Sequence, residues 1–361
     1  MHKSLIAAAM PLAMLFSHAV VGNVVKNVKP ILMGKNPKLP KIAIVTTGGT
    51  IAVKKDENGV AMLALSGKEL ITAVPGLLRR ANVELYSFCK EASGRIKPEV
   101  WLRLAKLIDK LVKRPDISGV IVTHGTDTMA EAAFFVNACI STKKPVVFVG
   151  AMRNASEGSP DGPENMLNAV VQIMSPNAKD WGVTVTLNQF VNSAYNVRKG
   201  NTNNVETFNS GEHGYLGYIT TGKVFKYNRS IQDFCIGMPE KLETRVELFM
   251  NYTGCDGEAI RHATDIGMKG LVVEGVGSGN VNEDVYDAIK YAMNKGVIVV
   301  VATSVPDGPV LPIYGGPGGG ATLVKEGVIL SRYLRARKAR LLLMLALSNK
   351  MSKDKIAKLF E

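Results

Sequence analysis

The residue types best suited to chemistry in this chain stand in polar clusters that directly follow apolar, β-branched runs. Thr46-Thr47-Gly48-Gly49-Thr50 follows "KIAIV", and Thr123-His124-Gly125-Thr126-Asp127-Thr128 follows "GVIV". A third, "GAMRNASEGSPDGPEN", follows "PVVFV". A hydroxyl attacks only when a base takes its proton, and a carboxylate with a nearby ammonium can form such a relay. Asp127 supplies the carboxylate type, and Lys199, in the polar stretch "YNVRKGNTNNVETF", supplies the ammonium. A phosphate cradle fits poorly. "GGTIAVKK" has neither the G-x-x-x-x-G-K-[ST] nor the G-x-G-x-x-G spacing. A plain turn, with glycines at positive φ and threonines as caps, stays open for the first cluster. So does a helix-capping role for Asp127 ahead of "TMAEAAFFVNACI", and for His124 both a packed, hydrogen-bonded place and a catalytic base.

What would position these groups is an alternation of strands and helices. "KIAIVTT", "GVIVTHG", "PVVFVGA" and "GVTVTLN" are uniformly apolar and bounded by breakers, as parallel strands covered on both faces are. Between the first two, Pro98 to Arg114 spaces Trp101, Leu104, Leu107, Ile108 and Leu111 as an amphipathic helix with proline in its first turn. Steady period is lost over 226–244 and resumes with "RVELFMNY", "GLVVEGVG" and "GVIVVVATS". The reading is two open, mostly parallel-sheet α/β domains: a larger one over 41–225, a linker over 226–244, and a smaller one over 245–361. Such sheets place ligands at the carboxyl ends of their strands, where all three polar clusters fall.

The first residues differ from the rest. His2 and Lys3, an apolar run from Leu5 to Phe16 and then Ser17-His18-Ala19 have the order of a cleaved secretory signal. This assigns 1–19 to a signal peptide, 20–40 to a leader extension outside the core, and the mature chain to the periplasm without a membrane anchor. The net charge of +13 would suit an anionic partner, but its lysines are dispersed and aromatics are only 6%, which argues against nucleic-acid binding. Cys89, Cys139, Cys235 and Cys255 form no CxxC pair, so no metal or redox motif is indicated. Cys89 and Cys139 read as buried thiols, and a Cys235–Cys255 disulfide stays open.

"TTGGTIA", "VTHGTDTMAEAAFFV", "KPVVFVGAMR", "SPDGPENMLNAV", "GNTNNVETF", "EGVGSGN" and "ARKARLLLMLAL" occur in an order that resembles the bacterial-type L-asparaginases, including the glutaminase-asparaginases. The likeness runs from Lys41 to the C-terminus. It implies hydrolysis of the side-chain amide of asparagine, and of glutamine in many members, without metal or cofactor. By the match, Thr47 is the nucleophile, and Thr126, Asp127 and Lys199 form the proton relay. Gly48 lets the backbone approach substrate, Ser93 binds its α-carboxylate, and Asn280 reaches in from a neighbouring subunit of a homotetramer. The chain departs from the family at Val60, where a mobile lid carries a tyrosine, and at Gly94, where glutamine is common. The resemblance leaves open whether Tyr314 compensates. An amidohydrolase with another preferred amide, and an amino-acid-binding paralogue, are the alternatives these departures raise.

Overall fold

The computed structural model describes residues 28–56, 58, 60–63, 65–229 and 234–361. The expected signal segment lies outside them, as does the leader up to residue 27.

Five parallel strands form the centre of the first sheet. In spatial order they are Asn82–Glu91, Lys41–Gly48, Val120–Thr123, Val146–Val149 and Val183–Leu187. The chain thus runs outward in one direction from Lys41–Gly48 and then in the other, so the sheet has its topological switch between Lys41–Gly48 and Val120–Thr123. Apolar clusters cover both faces, which is why these strands carry no alternation. On one side Trp101, Leu104, Ile108 and Leu111 of the helix Pro98–Val112 pack with Phe134 and Phe135 of the helix Met129–Cys139; Leu107 is only partly buried. On the other, Leu70 and Ile71 join Met166, Ala169 and Val170 of the helix Gly162–Met174.

Two features depart from the expectation. The longest strand, Asn82–Glu91, had no apolar signature, because its Glu84 is buried against the Arg114 guanidinium, 2.7 and 2.8 Å away. The margins of the sheet are antiparallel: Ile31–Met33, from the segment read as a leader, adds to one edge, and Phe190–Ser193, Gly217–Thr220 and Lys223–Lys226 extend the other.

The second sheet is wholly parallel, in the order Val246–Met250, Gly270–Gly275, Ile298–Thr303, Ile329–Leu330. Its helix Ala336–Ser348 packs Leu341, Leu342 and Leu345 into the same cluster as Phe134 and Phe135. The helix Met129–Cys139 is therefore apolar apart from Glu131 and Asn137, since it lies between the two halves. All four cysteines are free; Cys235 is exposed and the others buried, so the Cys235–Cys255 bridge does not form.

Candidate active site

The TGGT turn leaves its strand at the sheet's switch point, and each of its glycines is required by a neighbouring backbone. Gly48 has φ 111° and Gly49 φ 85°. A Cβ on Gly48 would lie 2.4 Å from the Glu91 carbonyl oxygen, and one on Gly49 would lie 2.3 Å from the Gly125 Cα. The turn is wedged between the ends of its two neighbouring strands. What Gly48 meets is protein chain, a different reason for glycine from the approach to substrate expected of it.

Burial separates the threonines. Thr47 is 1% exposed, and its Oγ1 donates to the Thr123 carbonyl at 2.8 Å. In the strand that oxygen is enclosed and already engaged, which is not the open position an attacking hydroxyl needs. Thr50 opens the short 3₁₀ turn Thr50–Ala52, whose Ile51 and Ala52 are buried; Thr50 itself is half-buried, next in the chain to Gly49. Its hydroxyl has no hydrogen-bond partner among the described residues. The sequence does not single it out, because three threonines share five positions and only the turn decides which faces out.

Across the Gly49–Gly125 contact lie the three residues expected to form the relay, joined by hydrogen bonds. Lys199 Nζ donates to Thr126 Oγ1 at 3.0 Å and to Asp127 Oδ1 at 2.7 Å. Thr126 is 5% exposed, while the Asp127 side chain is 75% exposed. Asp127 caps nothing: the N-cap of the following helix is Thr128, with no side-chain capping bond. Instead the Thr128 hydroxyl donates to the Ser93 carbonyl at 3.0 Å, tying the Ser93 turn to this strand end. A Cβ on Gly125 would lie 2.7 Å from Ser93 Oγ, so Thr50, Ser93 and Thr126 all border the Gly49–Gly125 junction. Asp127 and Lys199 also face a cleft of about 560 Å³ against the second unit, lined there by Glu274, Arg335 and Lys338.

The remaining expected residues are placed as follows. Gly94 borders open space, since a Cβ there would meet nothing within 4 Å. Val60 is 56% exposed at the end of a hairpin loop closed by Asp56, whose carboxylate accepts from the Val60 and Asn58 amides at 2.8 and 2.9 Å. Tyr314 is 56% exposed in the second unit. Asn280 ends the turn after Gly270–Gly275, where its amide donates to the Val276 carbonyl. Its buried Oδ1 has no partner among the described residues, and no hydrogen bond joins it to the relay within the chain. Among those residues no three or more His, Cys, Asp or Glu side chains are grouped to hold a metal ion, and no helix is long and apolar enough to cross a membrane.

His124 takes the packed alternative. It is fully buried, and its Nδ1 lies 2.8 Å from the Gly125 carbonyl, which makes Nδ1 the protonated nitrogen. Burial lowers its pKa from 6.5 to about 4. Between these values the unfolded chain binds a proton that the folded chain does not, so the associated stability is full above pH 6.5 and is lost as the pH falls toward 4. Urea unfolding at a series of pH values is expected to show His124→Gln with a flatter loss of stability than wild type across this window. Parallel curves would sink the assignment.

Comparison with known proteins matches this architecture throughout. Residues 41–232 match the family model "Asparaginase, N-terminal", and residues 245–360 match the "Glutaminase/Asparaginase C-terminal domain". A protein of Haemophilus influenzae named "Probable L-asparaginase periplasmic" is 38% identical over 333 residues, covering 90% of this chain and 93% of the relative. The "L-asparaginase 2" of Escherichia coli is 35% identical over 332 residues, covering 89% and 93%. A crystal structure titled "Probable Cytoplasmic L-asparaginase" from Campylobacter jejuni is similar with a TM-score of 0.79 and 38% identity, over 89% of this chain and 99% of that one. With both of its halves matched in order and the TGGT and HGTDT turns meeting at the switch point, the chain belongs to the asparaginase family.

Proposed function

We propose that this chain hydrolyses L-asparagine to L-aspartate and ammonia, through an ester on Thr50. The observation that carries the reading is the Lys199–Thr126–Asp127 cluster, with Nζ 3.0 and 2.7 Å from its two oxygens, across the Gly49–Gly125 junction from an unengaged threonine hydroxyl. Thr50 Oγ1 attacks the amide carbon, and its proton passes to the leaving nitrogen by way of Thr126 and Lys199 as the C–N bond breaks. Ammonia departs. Water then attacks the ester, returns a proton to the Thr50 oxygen and frees aspartate. Backbone N–H groups near Gly48 and Thr126 are the candidates for holding the oxyanion. Ser93 is assigned to the substrate's α-carboxylate, and the Thr47 hydroxyl to bracing the Thr123 carbonyl beneath the turn.

A second amide, the longer L-glutamine, is the alternative substrate at the same site, with glycine at 94 adding no side chain beside Ser93. We assign the chain to the periplasm, in line with its H. influenzae relative's name, and to a homotetramer in which a neighbour's Asn280 completes each site. Val60 leaves the lid without a phenol, and Tyr314, exposed in the second unit, is the candidate to supply one. The test is ammonia release by the purified chain from L-asparagine and L-glutamine, with calorimetry of each amide alongside. Release from asparagine is the expected result. Tight binding without release would convert the assignment to that of an amino-acid-binding paralogue, and release from glutamine alone would correct the substrate.

A further inference from the structure

We infer that Lys338, from the second unit, is a positioning residue that fixes the backbone turn delivering Lys199 to Thr126 and Asp127. The inference rests on the reading of Lys199 as part of the relay. Lys338 lies on the helix Ala336–Ser348 and is 8% exposed. Its Nζ donates to the carbonyls of Ala194, Tyr195 and Val197 at 3.0, 2.7 and 2.6 Å. An ammonium has three N–H groups, and all three are used on one short stretch of chain.

That stretch ends at the two-residue strand Arg198–Lys199, which among the described residues pairs only with Phe208–Asn209. No large sheet holds Lys199 in place. The segment is instead held from the second unit twice, since Arg198 Nη2 also lies 2.9 Å from Asp307 Oδ2 and Arg198 Nη1 donates to the Pro306 carbonyl. Val197, whose carbonyl Lys338 grips, is two residues from Lys199, and a shift of about 1 Å at a reacting group is enough to cost rate heavily.

Among the described residues no carboxylate is in contact with the ammonium. It sits 5.6 Å from the Phe134 ring centroid, and Glu131, the acid that most favours its charge, is 3.5 Å from Arg337 Nη1. Burial lowers the Lys338 pKa from 10.5 to about 7. A buried amine spent on three carbonyls, with no carboxylate in contact among the described residues, is a costly way to fasten a helix to a loop if an apolar contact would serve. Three donors converging on one turn fix its conformation in a way that an apolar contact cannot.

The test uses Lys338→Met and Lys338→Gln, each alone and combined with Lys199→Met, in the full chain. Lys338→Met is expected to lower kcat for L-asparagine about 10-fold with KM within about threefold, and Lys338→Gln, which keeps two donors, to lose less. In the Lys199→Met background neither substitution should lower kcat further. Losses that multiply would overturn the inference, because Lys338 would then act on something other than Lys199. A second readout needs no activity. Amide exchange in peptides covering 194–200 should speed up in Lys338→Met while the helix Ala336–Ser348 keeps its protection, and unchanged exchange at 194–200 overturns the inference as well. If wild type releases no ammonia, the assigned reaction fails and the exchange experiment alone decides whether Lys338 holds the turn. If Lys338→Met does not fold, Lys338→Gln carries both measurements.

Discussion

Thr50→Ala is expected to lower ammonia release from L-asparagine by at least about 10³-fold, the scale of removing an attacking group and leaving only binding and oxyanion contacts. Thr47→Val, in the same five residues, is expected to leave kcat within about threefold and to cost about 1 kcal/mol of stability, since it removes one buried hydrogen bond. The pair separates two hydroxyls that the sequence alone leaves indistinguishable. Thr47 is 1% exposed with its Oγ1 spent on Thr123, whereas Thr50 is half-buried on the turn beyond the glycines. Single-turnover measurement with mass detection of the chain gives the cleaner check: wild type should gain an aspartyl ester at Thr50, and Thr50→Ala should gain none. The reverse pattern, with Thr47→Val inactive and Thr50→Ala active, would return the role to the strand residue and require that strand end to open.

Gly49→Ala is expected to abolish ammonia release and to lower Tm on the order of 10 °C. Two costs add. Alanine must adopt φ 85°, and its Cβ must fit 2.3 Å from the Gly125 Cα, where only backbone stands. Strain of the first kind and overpacking of the second each cost roughly 1–3 kcal/mol. The clash cannot be relieved by a rotamer. It pushes apart the two turns that carry Thr50 and Thr126, so activity should fall even where the chain still folds. Calorimetric scanning with the ammonia assay checks both parts, and a Gly49→Ala chain with wild-type turnover would show that the wedge between the strands has no bearing on the site.

The parallel core was readable because strands buried on both faces have no polar residues to mask them: "KIAIV", "GVIV" and "PVVFV" all stand where expected. Asn82–Glu91 escaped notice because Glu84, Ser87 and Lys90 interrupt it, and only tertiary structure supplies the Arg114 that makes Glu84 admissible inside. The hairpin into Phe190–Ser193 was hidden for a different reason. Its turn uses Asn188 at φ 48° and Gln189 at φ 67°, and glutamine is a poor advertisement for a left-handed conformation. At the site, Thr126, Asp127 and Lys199 were legible as types and come together across 72 residues of chain. The hold on Lys199 was not legible. Lys338 stands among Arg335, Arg337 and Arg340, ahead of the apolar run that starts at Leu341, and nothing in one dimension says which of these cations turns inward onto three carbonyls.

The distribution of thiols has a practical consequence. Burial pushes the Cys89 thiol up to about 12 and raises that of Cys139 as well, and Cys255 is enclosed, which leaves Cys235 as the exposed sulfur. A maleimide dye added to the native chain should attach once per molecule. Stored without reductant, two molecules can join covalently through that residue and no other, so a non-reducing gel should show a band at twice the chain mass and no ladder above it.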